Sequence, residues 1–185
     1  MAYPVPECGQ CQQVERPWAD LWVPFVYAWP LDGLETRFKF SGSLVAGRVL
    51  AECWLDTGQP PTTPELLLPV PLHTSRLRAR GYNQAIELAR VLSRRLGIPM
   101  RHDVLVRRIR TQAQTELDAT TRAHNVRGAF VVRHAPTQRH VALVDDVMTT
   151  GATLGECARV LLDAGVERVD VWALARTPAP GTRFS

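Results

Sequence analysis

Val141-Ala-Leu-Val-Asp-Asp-Val-Met-Thr-Thr-Gly-Ala-Thr153 opens as a four-residue buried strand, delivers two carboxylates and passes through a small, hydroxyl-rich turn toward a helix. In open α/β sheets, ligands bind at this end of the strands. The turn Thr149-Thr-Gly-Ala-Thr153 has the features of a phosphate cradle: Gly151 lets the backbone come close, the hydroxyls donate, and the N–H groups of a helix start add a positive field. No Gly-Lys-Ser/Thr follows the strand, so this is not a Walker loop. No Gly-x-Gly-x-x-Gly occurs, so it is not a dinucleotide turn either. Asp145 and Asp146, just before the cradle, suit two vicinal hydroxyls of a ribose whose 5′-phosphate sits in the turn. The bland alternative is a capping pair of acids beside ordinary turn threonines, which explains any one of these residues better than it explains the whole string.

Working outward, Leu66-Leu-Leu-Pro-Val-Pro71 is a short buried-strand signal followed by a polar arginine loop. A helix is predicted from about Asn83, with Ala85, Leu88, Ala89, Leu92 and Leu96 on one face and Gly97 with Pro99 stopping it. Phe130-Val-Val132 and Val169 to Leu174 read as strands. Ala152 to Ala164 reads as a helix with Leu154, Cys157, Ala158, Leu161 and Leu162 inward and Gly165 as its stop. Strands alternating with helices predict an α/β fold with a mostly parallel sheet covered on both faces. Residues 107–125 read as a long polar excursion leading into a short helix, the kind of loop that is functional or mobile. Upstream, Phe25 to Trp29 reads as a short strand, and Leu34 to Phe40 and Leu44 to Leu55 as helices broken at Ser41-Gly42-Ser43. Residues 1–24, with four prolines and two cysteines, read as an irregular arm that something other than a core must order. The expected organisation is that arm followed by one domain over 25–185, divided into 25–65 and a core over 66–176.

A chain of 185 residues and 20.6 kDa suits one ordinary domain, and 45% hydrophobic with 22% charged residues excludes collagen-like and disordered classes. The longest apolar runs fall far short of the roughly 20 residues of a spanning helix, and no secretory leader pattern opens the chain, so no membrane span and a cytoplasmic location are expected. Four cysteines are too few for a disulfide scaffold, and Cys53 and Cys157 read as reduced core thiols on helices. The net charge of +4 conceals an asymmetry: residues 1–75 hold 4 basic against 8 acidic side chains, 76–139 hold 14 against 4, and 140–185 hold 4 against 6. The central block, from Arg76, Arg78 and Arg80 to Arg107, Arg108 and Arg110, expects phosphate on a small ligand or on nucleic acid. For Arg90, Arg94 and Arg95, on a helix, an ordinary solvated face competes evenly with that reading. Of the 22 basic residues, Lys39 alone is lysine.

The string Val-Asp-Asp-Val-Met-Thr-Thr-Gly-Ala-Thr resembles the phosphoribosyl pyrophosphate (PRPP) binding motif of type I phosphoribosyltransferases. Three further stretches make the chain similar to the ComF/GntX branch of that group: Pro69-Val-Pro-Leu72 with Arg76 and Arg80-Gly-Tyr-Asn-Gln84; then Arg107, Thr111, Gln114, Leu117, Arg122, Asn125 and Phe130; and Phe38-Lys-Phe-Ser-Gly42. The resemblance spans about residues 8–176. It implies a type I phosphoribosyltransferase fold with a small N-terminal hood, and a Mg-dependent site for PRPP or ribose 5-phosphate. Asp145 and Asp146 would meet the ribose hydroxyls, and Met148, Thr149, Thr150, Gly151, Ala152 and Thr153 the 5′-phosphate. Leu72 to Arg80, with Arg76 and Arg80, would meet the pyrophosphate, and a mobile loop would begin at Arg107 and Arg108 and run to Thr115. Transfer from PRPP builds oxocarbenium character while pyrophosphate departs, which demands compensation of two anionic ends by Mg ions and arginines. No general base is evident, because His73, His102, His124, His134 and His140 each stand alone in the sequence.

Two functional classes follow: a phosphoribosyltransferase acting on an unidentified acceptor, and a non-catalytic single-stranded DNA-binding accessory protein of DNA uptake, which the family's association with natural competence brings in. A domain with a relict pocket is a third. Tyr82 is the only aromatic residue from 76 to 129, which supports base stacking weakly. The resemblance breaks at the N-terminus, where relatives carry two Cys-x-x-Cys pairs holding zinc and this chain has Cys8-Gly-Gln-Cys11 alone. One pair is half a structural zinc site. A start lying further upstream, a zinc shared in a homodimer, a lost site and two free thiols are the alternatives.

Overall fold

The computed structural model describes residues 16–109 and 126–178. In chain order the elements are β1 (Leu21–Trp22), β2 (Phe25–Val26), α1 (Leu31–Phe40), α2 (Leu44–Asp56), β3 (Leu66–Pro69), α3 (Thr74–Arg80), α4 (Gln84–Leu96), β4 (Leu105–Arg107), β5 (Phe130–Val132), β6 (His140–Met148), α5 (Ala152–Asp163) and β7 (Arg168–Arg176). The main sheet is parallel, in the order β1, β7, β6, β3, with β2 also pairing with β7. Beyond β3, Met100 bridges to Leu67, again parallel. β4 and β5 form a separate antiparallel pair.

Strand alternation divides the core between the two faces of this sheet. Val141 and Leu143 of β6, with Leu66 and Leu68 of β3, pack under Leu154, Cys157, Ala158 and Leu161 of α5. Ala142 and Val144, with Leu67, pack under Leu88, Ala89 and Leu92 of α4 and Leu50, Ala51 and Trp54 of α2. Both faces are covered, so the parallel strands are apolar throughout. Asn83 caps α4 by accepting from the Ala85 N–H at 3.0 Å, while its Nδ2 donates to the Val70 carbonyl at 2.9 Å. That second bond ties the helix start to the exit of β3.

The connections from β3 and β6 leave on opposite faces and travel in opposite directions: β3 runs through α4 outward to Met100, and β6 runs through α5 back to β7. The carboxyl ends of β3 and β6 therefore flank the switch point where such sheets open a crevice. β3 ends with Pro69 opposite Val144, whereas β6 continues beside β7 until Met148 lies opposite Arg176.

Several elements differ from the sequence reading. The strand read as Val141 to Val144 runs through both acids, because β7 extends equally far and keeps supplying hydrogen-bond partners. The polar arginine loop is the helix α3, capped by His73 through its Nδ1 and closed by Gly81 at φ 84°. Phe25 to Trp29 shortens to two residues. Leu21 and Trp22, read as the end of an irregular arm, form β1, and Trp22 lodges between Trp54 and Trp172 with ring centroids 5.3 and 5.1 Å away. Cys157 is buried as expected, but Cys53 is exposed, since Leu50, Ala51 and Trp54 take the inward face of α2. Among the described residues no helix is long and apolar enough to cross a membrane.

Candidate functional site

Asp145 and Asp146 stand on β6 just past the end of β3, where the neighbouring strand has turned away. Alternation assigns them to different sides. Asp145 follows Val141 and Leu143 toward the α5 side and acts on Cys157 and Arg107 there. Asp146 follows Ala142 and Val144 toward the α1 side, where its Oδ2 lies 3.2 Å from Lys39 Nζ. Lys39 also pairs with Glu35, one turn back on α1, and Tyr27 donates its hydroxyl to Glu35 at 3.4 Å. Tyr27, Glu35, Lys39 and Asp146 thus form one polar chain from the start of the fold to the end of its central strand.

The electrostatics follow from this crowding. Burial first, then repulsion from Asp146, pushes Asp145 well above the usual carboxylate range; the Asp146 N–H, donating to Asp145 Oδ1 at 2.9 Å, and Lys39 act against that rise. Burial and then Asp146 push Glu35 up to about 7. Lys39 is drawn down by burial, yet Asp146 and Glu35 outweigh this and hold it above the usual lysine range. Arg107 is drawn below its usual range by burial and then by Arg76, with Asp145 acting the other way. Arg107 is thus a buried guanidinium acted on by a second arginine and by Asp145.

The 5′-phosphate loop of the sequence reading occupies the next turn. Met148 is buried at the end of β6, Thr149 and Thr150 are exposed, and Gly151 caps α5 at φ 78°. A side chain at Gly151 would meet left-handed strain and stand 3.2 Å from the Trp18 ring, so the close backbone turn needs glycine. The Thr150 hydroxyl accepts from the Ala152 N–H at 3.4 Å, and Ala152 and Thr153 begin the helix whose N–H groups open toward the turn.

The predicted arginines are distributed unevenly. Arg107 feels the charge of both Arg76 and Asp145. Arg107, read as the first residue of a polar loop, is the last residue of β4, 8% exposed and stacked 5.2 Å from the Phe130 ring centroid. Arg80 turns instead to Gln84, whose Oε1 accepts from Nη1 at 2.7 Å, and lies over the Phe40 ring. Arg108 is exposed. Arg90 and Arg95 pair with Glu87 and Glu52, as a solvated helix face does. The rest of the predicted mobile loop, from Arg110 to Thr115, and the Cys8 and Cys11 pair lie outside the described residues.

Sequence reasoning missed Glu35 and the role of Lys39. The signal was present: a single lysine in an arginine-rich chain, inside the Phe38-Lys-Phe-Ser-Gly42 string. The histidines do not all stand alone. His140 Nε2 lies 2.7 Å from Asp170 Oδ2, and Thr62 donates to the same oxygen. This cluster marks the amino end of β6, five residues and about 17 Å from Asp145 at the usual strand rise.

Two strand-borne acids at the switch point of a parallel sheet, followed by a glycine turn at a helix start, define a class of α/β proteins by the order of strand, acids, turn and helix. Comparison with known proteins gives the family. Residues 83–183 match the phosphoribosyl transferase domain. Competence protein F of Haemophilus influenzae is 39% identical over 95% of this chain and 81% of its own length. DNA utilization protein YhgH of Escherichia coli K12 is 37% identical over 92% and 78%, and competence protein ComFC of Bacillus subtilis 31% over 70% and 52%. The chain therefore belongs to the phosphoribosyl transferase domain family, within the group of competence protein F and its relatives. Among solved structures, it is similar to the glutamine PRPP amidotransferase of B. subtilis complexed with ADP and GMP, at 20% identity and a TM-score of 0.44 over 69% of this chain and 25% of that one.

Proposed function

We propose that the crevice at the carboxyl end of β6 binds PRPP or ribose 5-phosphate together with Mg2+, and that a phosphoribosyl group can be transferred from it to an acceptor. The observation that carries this reading is the order of the site along the chain: Asp145 and Asp146 stand on β6 just past the end of β3, and the Gly151 turn that opens α5 follows directly. In this reading the cradle from Met148 to Thr153 holds the 5′-phosphate. Arg76 and Arg107, which act on one another electrostatically, supply positive charge for the departing pyrophosphate. Lys39 holds the Asp146 carboxylate in place through their ion pair. The carboxylate oxygens of Asp145 and Asp146 fit a hard cation, and Mg2+ is held by one or two carboxylates together with substrate phosphates. When bound, Mg2+ supplies positive charge against the leaving pyrophosphate.

Titration calorimetry tests the reading. PRPP with Mg2+ is expected to release heat with wild-type protein and to lose most of its affinity with Asp145→Asn/Asp146→Asn. No heat from wild type, or equal affinity in the double variant, overturns the assignment.

A second reading, single-stranded DNA binding, is supported by the 14 basic side chains of residues 76–139 and by relatives named for competence and DNA utilization. It concerns the arginine surface and does not require transfer chemistry.

A further inference from the structure

The aromatic side chain missing from the basic block is supplied by the fold from outside it. Phe40, the last residue of α1, is 75% exposed although the Arg80 guanidinium already lies 5.5 Å from its ring centroid. Arg80 is held in that pose by Gln84, which accepts from Nη1 at 2.7 Å. Arg37 lies three residues before Phe40 and is exposed, which at helical spacing makes the two neighbours on one surface. Arg78, on the same short helix as Arg80, is exposed as well. Leu44 and Val45, at 52% and 74% exposure, follow directly at the start of α2.

We propose that Phe40, flanked by Arg80 and Arg37, is a base-stacking platform for single-stranded DNA. The ring offers a flat apolar surface, and the guanidinium against it adds a cation that a neighbouring phosphate or base π-face can use. A duplex hides the faces of its bases in the stack, whereas a single strand presents them. The exposed arginines match the negative backbone that such a strand carries past the ring. Pre-set contact between Arg80 and Phe40 leaves little side-chain freedom to be lost on binding. The inference deepens the DNA reading above and rests on it, while leaving the phosphate crevice beyond Lys39 untouched.

The test measures anisotropy of a labelled oligo-thymidine strand and of an abasic strand of equal length. Wild type is expected to bind the thymidine strand about tenfold more tightly than the abasic one, the scale of one stacked base. Phe40→Ala should bring the thymidine strand down to the abasic affinity, and Phe40→Tyr should keep the preference. The PRPP heat of Phe40→Ala should match wild type, so that failure of the platform and failure of the crevice are read separately. Equal affinity of wild type for the two strands, or an undiminished thymidine affinity in Phe40→Ala, overturns the proposal. So does a wild-type dimer that Phe40→Ala dissociates, which would assign the patch to contact between copies of this chain.

Discussion

Lys39 touches Glu35 and Asp146 with one positive charge, so when both carboxylates are ionised the trio carries a net negative charge in a buried place. The protein settles this by raising Glu35 to about 7, burial being the larger cause and Asp146 the next. An unfolded chain gives up that proton near the ordinary value of 4.5, so between 4.5 and about 7 the folded state holds more protons than the unfolded one. Stability contributed by Glu35 therefore falls as pH rises through this window and levels off above it. Melting temperature measured from about pH 5 to about pH 8 should show the fall, and Glu35→Gln should make it shallower, the raised Asp145 carboxyl contributing a fall of the same sign. Lys39→Met leaves two buried acids without their cation and is expected to cost about 3 kcal/mol in denaturant unfolding, with Lys39→Arg milder. Adding Glu35→Gln to Lys39→Met should recover part of the loss, a coupling that a double-mutant cycle reads directly.

At the scale of elements, the polar chain depends on how closely α1 and α2 approach. Phe38, fully buried, lies against Gly47 so tightly that a Cβ there would stand 2.3 Å from Phe38 Cε2. The ring cannot retreat easily, because Tyr82 packs on it with centroids 5.6 Å apart. Gly47→Ala is thus expected to destabilise the protein by about 2 kcal/mol, the usual penalty of overpacking, despite the better helix propensity of alanine. Chemical denaturation checks it. Since Lys39 is the residue after Phe38, the same substitution should also lower PRPP affinity, whereas an exposed change on α2 such as Arg48→Ala should alter neither property.

For the molecule as a whole, the arginine block is a surface property with a measurable signature. Exposed Arg78 on α3 and the half-buried Arg76 and Arg80 beside it bring positive charge next to the switch-point crevice. Each phosphate they neutralise on a single strand releases counterions and contributes about 0.7 to the slope of log K against log salt. Arg76→Glu/Arg78→Glu/Arg80→Glu is therefore expected to reduce that slope by about 2 in a salt titration of oligo-thymidine binding. An unchanged slope would show that these arginines do not meet the strand.

Legible in the residues alone were the alternation of apolar strands and amphipathic helices, the parallel sheet that alternation demands, and the order of strand, acids and glycine turn along Val141 to Thr153. These features are local, set by period and turn chemistry, and they survive translation into the fold. Contacts between elements distant in sequence came from packing. The length of β6 came from β7 alongside it, the placement of Arg76, Arg78 and Arg80 from a helix capped by His73, and the burial of Arg107 from Phe130. Lys39 met Asp146 across more than a hundred residues, and Phe40 met Arg80 across about forty, as packing of α1 against the sheet and α3 required. Charge pairing and ring stacking are short-ranged, so no spacing along the chain announces them; they exist only once the hydrophobic core has fixed where each helix lies.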